Sequence, residues 1–263
     1  MIEGIIFFIL GVSIGSFLNV LILRHNTGNT ILGRSFCFSC GKILKASELI
    51  PLLSFVVQGG RCNTCGSRIS FQYPLVEGVS GILFAALGSV VLVRYGYWLE
   101  GAWFPVALMF SYWTIFSILL VISIYDIRHK IIPNTYVYSF IGVAFLYKVF
   151  LYWPNESDSF LNYVLQDVST GFLMFLFFFF LWFLSRGKAM GLGDAKLAFG
   201  IGVLLGPEGA WWAFVASFFI GAVLGTYLLF LGRNRFTMKS EIPFGPFLSL
   251  GALLSLLADI NIL

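Results

Sequence analysis

Apolar runs of about 18 residues or more recur along this chain, and each is long enough to cross a hydrocarbon core of roughly 30 Å as a helix. Only 11% of the 263 residues are charged, whereas soluble domains carry roughly 25%. The sequence therefore predicts an all-α polytopic membrane protein with about eight transmembrane helices. The expected apolar segments lie near residues 4–23, 76–93, 104–124, 134–152, 164–184, 195–206, 209–231 and 244–262.

The distribution of basic residues predicts the topology. The first positive charges, Arg24 and His25, follow the first apolar run, so we expect a retained helix whose N-terminus is non-cytoplasmic. Summed over alternate loops, the 16 Lys and Arg residues lie on one side except for Arg94 and Lys148. This bias makes that side cytoplasmic and places both termini on the other. It also accounts for the net charge of +4, so no nucleic-acid partner is expected.

A polar insert, residues 25–75, separates the first two helices and contains all four cysteines on the predicted cytoplasmic side. The cysteines, spaced Cys-x2-Cys-x21-Cys-x2-Cys, are Cys37, Cys40, Cys62 and Cys65. Each pair is followed by a glycine, which lets a tight knuckle turn its backbone amides toward the thiolates, and two knuckles supply the four sulfurs of a tetrahedral Zn²⁺ site. An insert of this size is too small to fold easily around a hydrophobic core alone, so the zinc is expected to have a structural role.

Other readings of the cysteines remain. A four-cysteine iron–sulfur site is the main competitor. Disulfides are disfavoured in the cytoplasm, and a redox dithiol would need only one Cys-x-x-Cys pair.

Three acidic residues lie where apolar segments begin or end: Glu77, Asp126 and Asp194. Charge at membrane depth is costly, so such acids usually face a polar cavity or a partner. Each also has a purely structural reading. Asp194 is suited to cap the helix that follows it, Glu77 to complement a helix dipole, and Asp126 to pair with the basic residues after it.

The surroundings of two of these acids favour a shared site. Gly191 and Gly193 precede Asp194, and glycines there allow close backbone approach, which a simple cap does not require. Asp126 opens a short stretch ending at Pro133 before the next helix. Two carboxyl groups that share one proton can activate water against a peptide carbonyl.

Six motifs follow one another in order along nearly the whole chain. They are Gly15–Val20 with Arg24, the two cysteine knuckles, Ile69–Glu77, Asp126–Pro133, Gly191–Asp194, and Pro243–Phe247. This series resembles that of the bifunctional type IV prepilin peptidases (prepilin leader peptidase/N-methyltransferase), membrane aspartyl proteases of the Gly-x-Gly-Asp type. The chain departs from the family's pattern at Asn134, where many members have a second Asp.

The resemblance implies roles for these residues. Asp126 and Asp194 would be the catalytic pair, and the four cysteines the metal ligands. The pair would cleave the basic leader from type IV prepilins or pseudopilins at the cytoplasmic face of the bacterial inner membrane. The enzyme would then methylate the new N-terminal amine with S-adenosylmethionine, for which Asn19, Arg24 and Glu77 are the candidate site residues.

The expected organisation follows from these assignments. Residues 1–24 would be the first transmembrane helix, 25–75 a zinc-ribbon-like insert associated with methyl transfer, and 76–263 the transmembrane peptidase core in contact with lipid. Within that core, helix dipoles suggest that Asp194 begins charged as the base and Asp126 protonated as the acid, although the basic residues after Asp126 oppose this.

Two competing functions explain less of the sequence. A transporter would bury acids between helices but gives no reason for a four-thiolate insert. A non-enzymatic membrane assembly factor would account for the insert and the helices but not for the glycines around Asp194.

Overall fold

The computed structural model describes residues 2–28, 30, 33–95, 103–152, 157–188, 190–231 and 242–262. The helices are α1 (Ile2–Arg24), α2 (Leu53–Val57), α3 (Gln72–Tyr95), α4 (Trp103–His129), α5 (Asn134–Tyr152), α6 (Ser157–Ser185), α7 (Leu192–Leu231) and α8 (Gly245–Ile262). Six of those in the described ranges are long and apolar enough to cross a membrane, and α8 carries a shorter apolar stretch. The predicted all-α polytopic membrane architecture is confirmed.

The predicted sixth and seventh apolar segments both belong to α7. Its 40 residues correspond to about 60 Å of helix, twice a hydrocarbon core. The helix is broken at Gly206, whose φ of 71° and ψ of −174° are non-helical, and Pro207 begins the second arm with no N–H to satisfy. A side chain at residue 206 would be strained by that positive φ, so glycine suits the position.

The chain reverses direction at Gly206, as the order of the contacts between α7 and α6 shows. The contacts with α6 are Gly202 with Gly171, Gly206 with Asp167, and Phe218 with Phe178. Along the first arm of α7 the partner number in α6 falls, and along the second arm it rises again. The two arms therefore run in opposite directions, and the second arm returns toward the end at which α7 begins.

A buried ion pair lies against this reversal. Lys148 of α5 and Asp167 of α6 are 3.0 Å apart, and both side chains are almost fully buried. The hydroxyl of Tyr152 donates to Asp167 Oδ2 at 2.9 Å. The pair lies about 21 Å along α5 from its start, hence within the hydrocarbon depth. Helix ends at this depth have backbone N–H and C=O groups that water cannot reach. Charged side chains beside the reversal are suited to stabilise these groups.

The chain divides into two compact units, Met1–Pro105 and Val106–Leu263. In the first unit α1 packs along α3. The contact is close because a side chain at Gly11 or Gly15 would meet the α3 backbone within 3 Å. In the second unit most residues of the first arm of α7 are buried, and α7 packs against α5, α6 and α8.

The structure does not test the predicted domain bounds or the predicted membrane orientation. The domain division at residues 24 and 75 stays a prediction. Three of the basic residues that the topology relies on, Arg233, Arg235 and Lys239, lie outside the described residues.

We expect that removing one partner of the buried pair, by Lys148→Met or Asp167→Asn, destabilises the protein by about 3 kcal/mol, because the other charge is left buried and unpaired. The double variant Lys148→Met/Asp167→Asn should recover much of this loss. Thermal unfolding of the purified protein in detergent measures both effects. Lys188→Met, at an exposed lysine, is the control, and losses that simply add in the double variant would contradict the prediction.

Candidate active site and metal centre

Asp126 lies in the last turn of α4 and is 4% exposed. Its Oδ2 atom accepts a hydrogen bond from the backbone N–H of Gly245 at 3.1 Å. Gly245 is the first residue of α8, so the positive end of that helix faces the carboxyl group. A methyl group on residue 245 would lie 2.8 Å from Asp126 Oδ2. Glycine is therefore what lets the backbone donor approach.

Asp194 lies in the first turn of α7 and is 7% exposed. Its Oδ2 atom accepts the backbone N–H of Gly191 at 3.1 Å. Its Oδ1 atom is buried and has no hydrogen-bond partner among the described residues. Buried polar atoms are rarely left unsatisfied, so this oxygen is suited to meet a water molecule or a substrate.

Ile132 packs against a residue next to each aspartate: Gly193, which precedes Asp194 in sequence, and Gly245, whose N–H binds Asp126. It lies in the short connection between α4 and α5. A methyl group on Gly193 would lie 2.8 Å from Ile132 Cβ, and one on Gly245 would lie 3.3 Å from Ile132 Cδ1. The close approach that the sequence suggested for the glycines before Asp194 is thus made at Gly193, by Ile132.

The structure brings Asp126 and Asp194 to the lining of one half-open cavity of about 470 Å³. Three lysines also line this cavity: Lys130, Lys188 and Lys196. The ammonium group of Lys196 donates to Asn134 Oδ1 at 2.8 Å. Two carboxyl groups in a common cavity can divide acid and base roles in peptide hydrolysis.

Aromatic packing supports the segment that holds Asp126. The ring of Phe244 lies 5.9 Å from that of Phe178, 5.0 Å from that of Phe218 and 6.1 Å from that of Phe247, measured between centroids. Phe178 is fully buried. Because Phe244 immediately precedes Gly245, this cluster fixes the start of α8.

The two cysteine pairs form matching knuckles. The N–H of Gly41 donates to the carbonyl of Cys37, and the N–H of Gly66 donates to the carbonyl of Cys62. Both glycines have φ near +70°. Each knuckle is closed by its own backbone hydrogen bonds, which is why it could be recognised from sequence alone.

The four sulfurs come together as one group. All lie within 4.8 Å of one another, and Cys37 Sγ is 3.9 Å from Cys65 Sγ. Zn–S bonds of about 2.3 Å in a tetrahedron separate the sulfurs by about 3.8 Å. The cluster therefore fits a tetrahedral metal ion.

The electrostatics of the thiols also favour a cation. Backbone N–H groups of Cys40 and Ser39 are the main reason that the pKa of Cys37 is lowered to about 6. At Cys40 the backbone N–H of Lys42 lowers the pKa, but partial loss of solvent and the nearby Cys65 and Cys37 sulfurs outweigh it and raise the pKa to about 11. Four thiolates this close are compatible when a cation offsets their charge.

The three methyl-transfer candidates lie in the first unit. Asn19 is fully buried and donates to the Tyr73 carbonyl at 3.2 Å. Glu77, also buried, accepts the backbone N–H of Leu52 at 2.8 Å. Arg24 donates to carbonyl groups in the loop after α1.

Sequence reasoning missed several contributors to the site. Gly245 was part of a quoted motif, but nothing in the sequence indicated that its N–H reaches Asp126. Ile132 and Lys196 resembled ordinary apolar and basic residues of the membrane surface. The pairing of Lys196 with Asn134 joins positions 62 residues apart, and no local pattern predicts it.

The comparisons with known proteins cover both units. Residues 9–91 match the Bacterial Peptidase A24 N-terminal domain. Residues 113–226 match the Type IV leader peptidase family. No solved structure matches the chain.

Curated relatives align with almost the entire chain. The prepilin leader peptidase/N-methyltransferase of Bacillus subtilis is 35% identical over 96% of this chain and 93% of its own length. Proteins of the same name from Pseudomonas putida and Pseudomonas aeruginosa are 31% and 30% identical, each over 95% of this chain and 88% of their own length. The chain is therefore an enzyme that belongs to the type IV leader peptidase family.

Proposed function

We propose that this membrane enzyme removes the leader peptide from type IV prepilins or pseudopilins with Asp126 and Asp194, and then methylates the new N-terminus from S-adenosylmethionine. The curated relatives carry both activities in their name. The observation that carries the proposal is the common cavity, in which both carboxyl groups are buried, each held by one backbone N–H. A transporter or a passive assembly factor requires no such arrangement.

Hydrolysis then follows from the free oxygen of Asp194. Oδ1 of Asp194 accepts a proton from water while the water oxygen attacks the scissile carbonyl carbon. Asp126 gives its proton to the carbonyl oxygen, which forms a tetrahedral diol. As the carbonyl re-forms, the C–N bond breaks and the leaving amine takes a proton from the dyad.

These roles agree with the division inferred from sequence for Asp194, whose unpartnered oxygen is suited to act as the base. The role of Asp126 rests on the shared proton of the pair, because the Gly245 N–H and the start of α8 also favour its charged form. The two residues should titrate together rather than separately.

We propose that the four cysteines hold a structural Zn²⁺. The fit of the sulfur cluster to tetrahedral Zn–S geometry supports this. The metal would join the two knuckles on either side of α2 and so order the insert.

We propose that the methyl-transfer site includes Asn19 and Glu77, buried polar residues on neighbouring faces of α1 and α3. S-adenosylmethionine would supply the methyl group to the amine that cleavage exposes. Arg24 would contribute by holding the loop that leads from α1 into the insert.

The protein is a multi-pass membrane protein of the bacterial inner membrane. We propose that the dyad and the insert face the cytoplasm and that both termini face away. The strong bias of basic residues supports this orientation. The three lysines that line the dyad cavity are among the basic residues of that bias.

We expect Asp126→Asn and Asp194→Asn each to reduce leader cleavage at least about 100-fold, because each removes a group that transfers a proton. Purified enzyme is incubated with a prepilin, with and without S-adenosylmethionine, and the products are weighed by mass spectrometry. Wild type should give the leader-free mass, plus one methyl mass only with the cofactor. Both variants should give neither product.

The matched control is Glu208→Gln, the same kind of change at an exposed acid of α7, which should cleave as wild type does. Near-normal cleavage by either aspartate variant would refute the assignment. Cleavage without any methyl gain would refute only the methyl-transfer part.

Gly245→Ala is expected to lower the rate of cleavage by about tenfold or more while the protein still folds. The added methyl group would lie 2.8 Å from Asp126 Oδ2 and displace the backbone donor, and small misplacements of catalytic groups are costly. Gly142→Ala on α5, where a methyl group meets nothing within 4 Å, is the control. Equal rates for the two variants would show that the Gly245 contact has no catalytic importance.

Metal analysis of the purified protein should give about one zinc per chain and no visible absorbance. Replacing Cys37 by Ser should remove the metal and make the insert sensitive to protease. Ser39→Ala, in the same knuckle but with no proposed ligand, should retain it. Iron with visible absorbance, or no metal in the intact protein, would contradict the zinc assignment.

A further inference from the structure

The short helix α2 carries an exposed apolar face. Leu53, Val56 and Val57 are 62%, 74% and 84% exposed. Their spacing puts them on one side of the helix. Ile50, shortly before the helix, is also exposed and lines the same cavity as Leu53 and Val57. Such a patch normally marks a contact with a partner or a membrane.

Two contacts hold α2 beside the N-terminal end of α3. The backbone N–H of Leu52 donates to Glu77 Oε2 at 2.8 Å. One turn further, the ring of Phe55 meets that of Phe71 edge to face, with centroids 6.3 Å apart, and Phe71 directly precedes α3. The two contacts tie α2 to the second turn of a membrane-spanning helix and to the residue just before it.

The depth of this attachment follows from helix geometry. The 23-residue span that begins at Gln72 is about 34 Å long, slightly more than the hydrocarbon core. Glu77 lies about 8 Å along it. Side chains on a helix lean toward its N-terminus, so the carboxylate points back toward the surface. The α2 backbone that it binds therefore lies at the boundary between headgroups and acyl chains.

A half-open cavity of about 370 Å³ adjoins the exposed face. Its apolar wall is formed by Ile50, Leu53 and Val57, and its polar lining by Ser47, Glu48, Ser54, Gln58 and Asn63. An apolar wall beside polar groups matches the chemistry of a phospholipid at that boundary.

The charge of the surrounding insert fits an anionic membrane surface. Residues 33–71 contain one acid, Glu48, which is paired with Lys42. The basic residues of this range are Arg34, Lys42, Lys45, Arg61 and Arg68. Such an excess of basic residues attracts the negative headgroups of a bilayer.

We propose that Leu53, Val56 and Val57 form an interfacial anchor that inserts into the surface of the lipid bilayer. The anchor holds α2, which lies between the two knuckles in sequence, at the membrane surface rather than free in solution. This goes beyond the proposed reactions, because it depends on neither the dyad nor the methyl donor.

The test uses the full-length protein in nanodiscs of phosphatidylethanolamine and phosphatidylglycerol. The photoreactive residue benzoylphenylalanine replaces Val57 in one variant and Val56 in a second. The control variant carries it at Ser39, an exposed polar residue in the first knuckle. After irradiation, peptides are analysed by mass spectrometry for a phospholipid adduct. Metal content and elution volume report whether each variant is folded.

Lipid adducts at Val57 or Val56, at least about tenfold above those at Ser39, are the expected result. The proposal is overturned if folded variants give no adduct at either valine. It is also overturned if they crosslink instead to an added prepilin or to a second copy of the chain.

Discussion

Polar groups at membrane depth must find their partners inside the protein, and this constraint shapes the second unit. Asp126 accepts an N–H from the start of α8, and Asp194 accepts one from the loop before α7. Lys148 and Asp167 satisfy each other beside the reversal of α7. Where a polar atom is left over, as at Asp194 Oδ1, it lies where substrate chemistry is proposed.

The first unit solves the same problem with short-range means. Each cysteine knuckle satisfies its own backbone, so it needs little from the rest of the chain. Glu77 is the exception, because its carboxylate leaves the surface of α3 to bind the backbone of α2. Together with the contact between the rings of Phe55 and Phe71, this charged hydrogen bond attaches α2 to the start of α3.

Local patterns made much of this structure predictable. Apolar length gave the helices, and the cysteine spacing gave the knuckles, because each depends on neighbours in sequence. The meeting of Asp126 and Asp194 was inferred from helix ends and a family resemblance. The break at Gly206 coincides with the boundary between the predicted segments 195–206 and 209–231. The donor from Gly245 to Asp126 joins residues 119 apart, and it depends on packing that no short motif encodes.

Ile132 gives the dyad a mechanical property. Because it touches both Gly193 and Gly245, it works as a wedge between the starts of α7 and α8. A peptide that enters by pushing this wedge aside would shift the two helix ends together. Asp194 and the Gly245 N–H that Asp126 accepts would then shift with one displacement, so in the proposed mechanism occupancy of the cavity would change the geometry at both carboxyl groups through a single side chain.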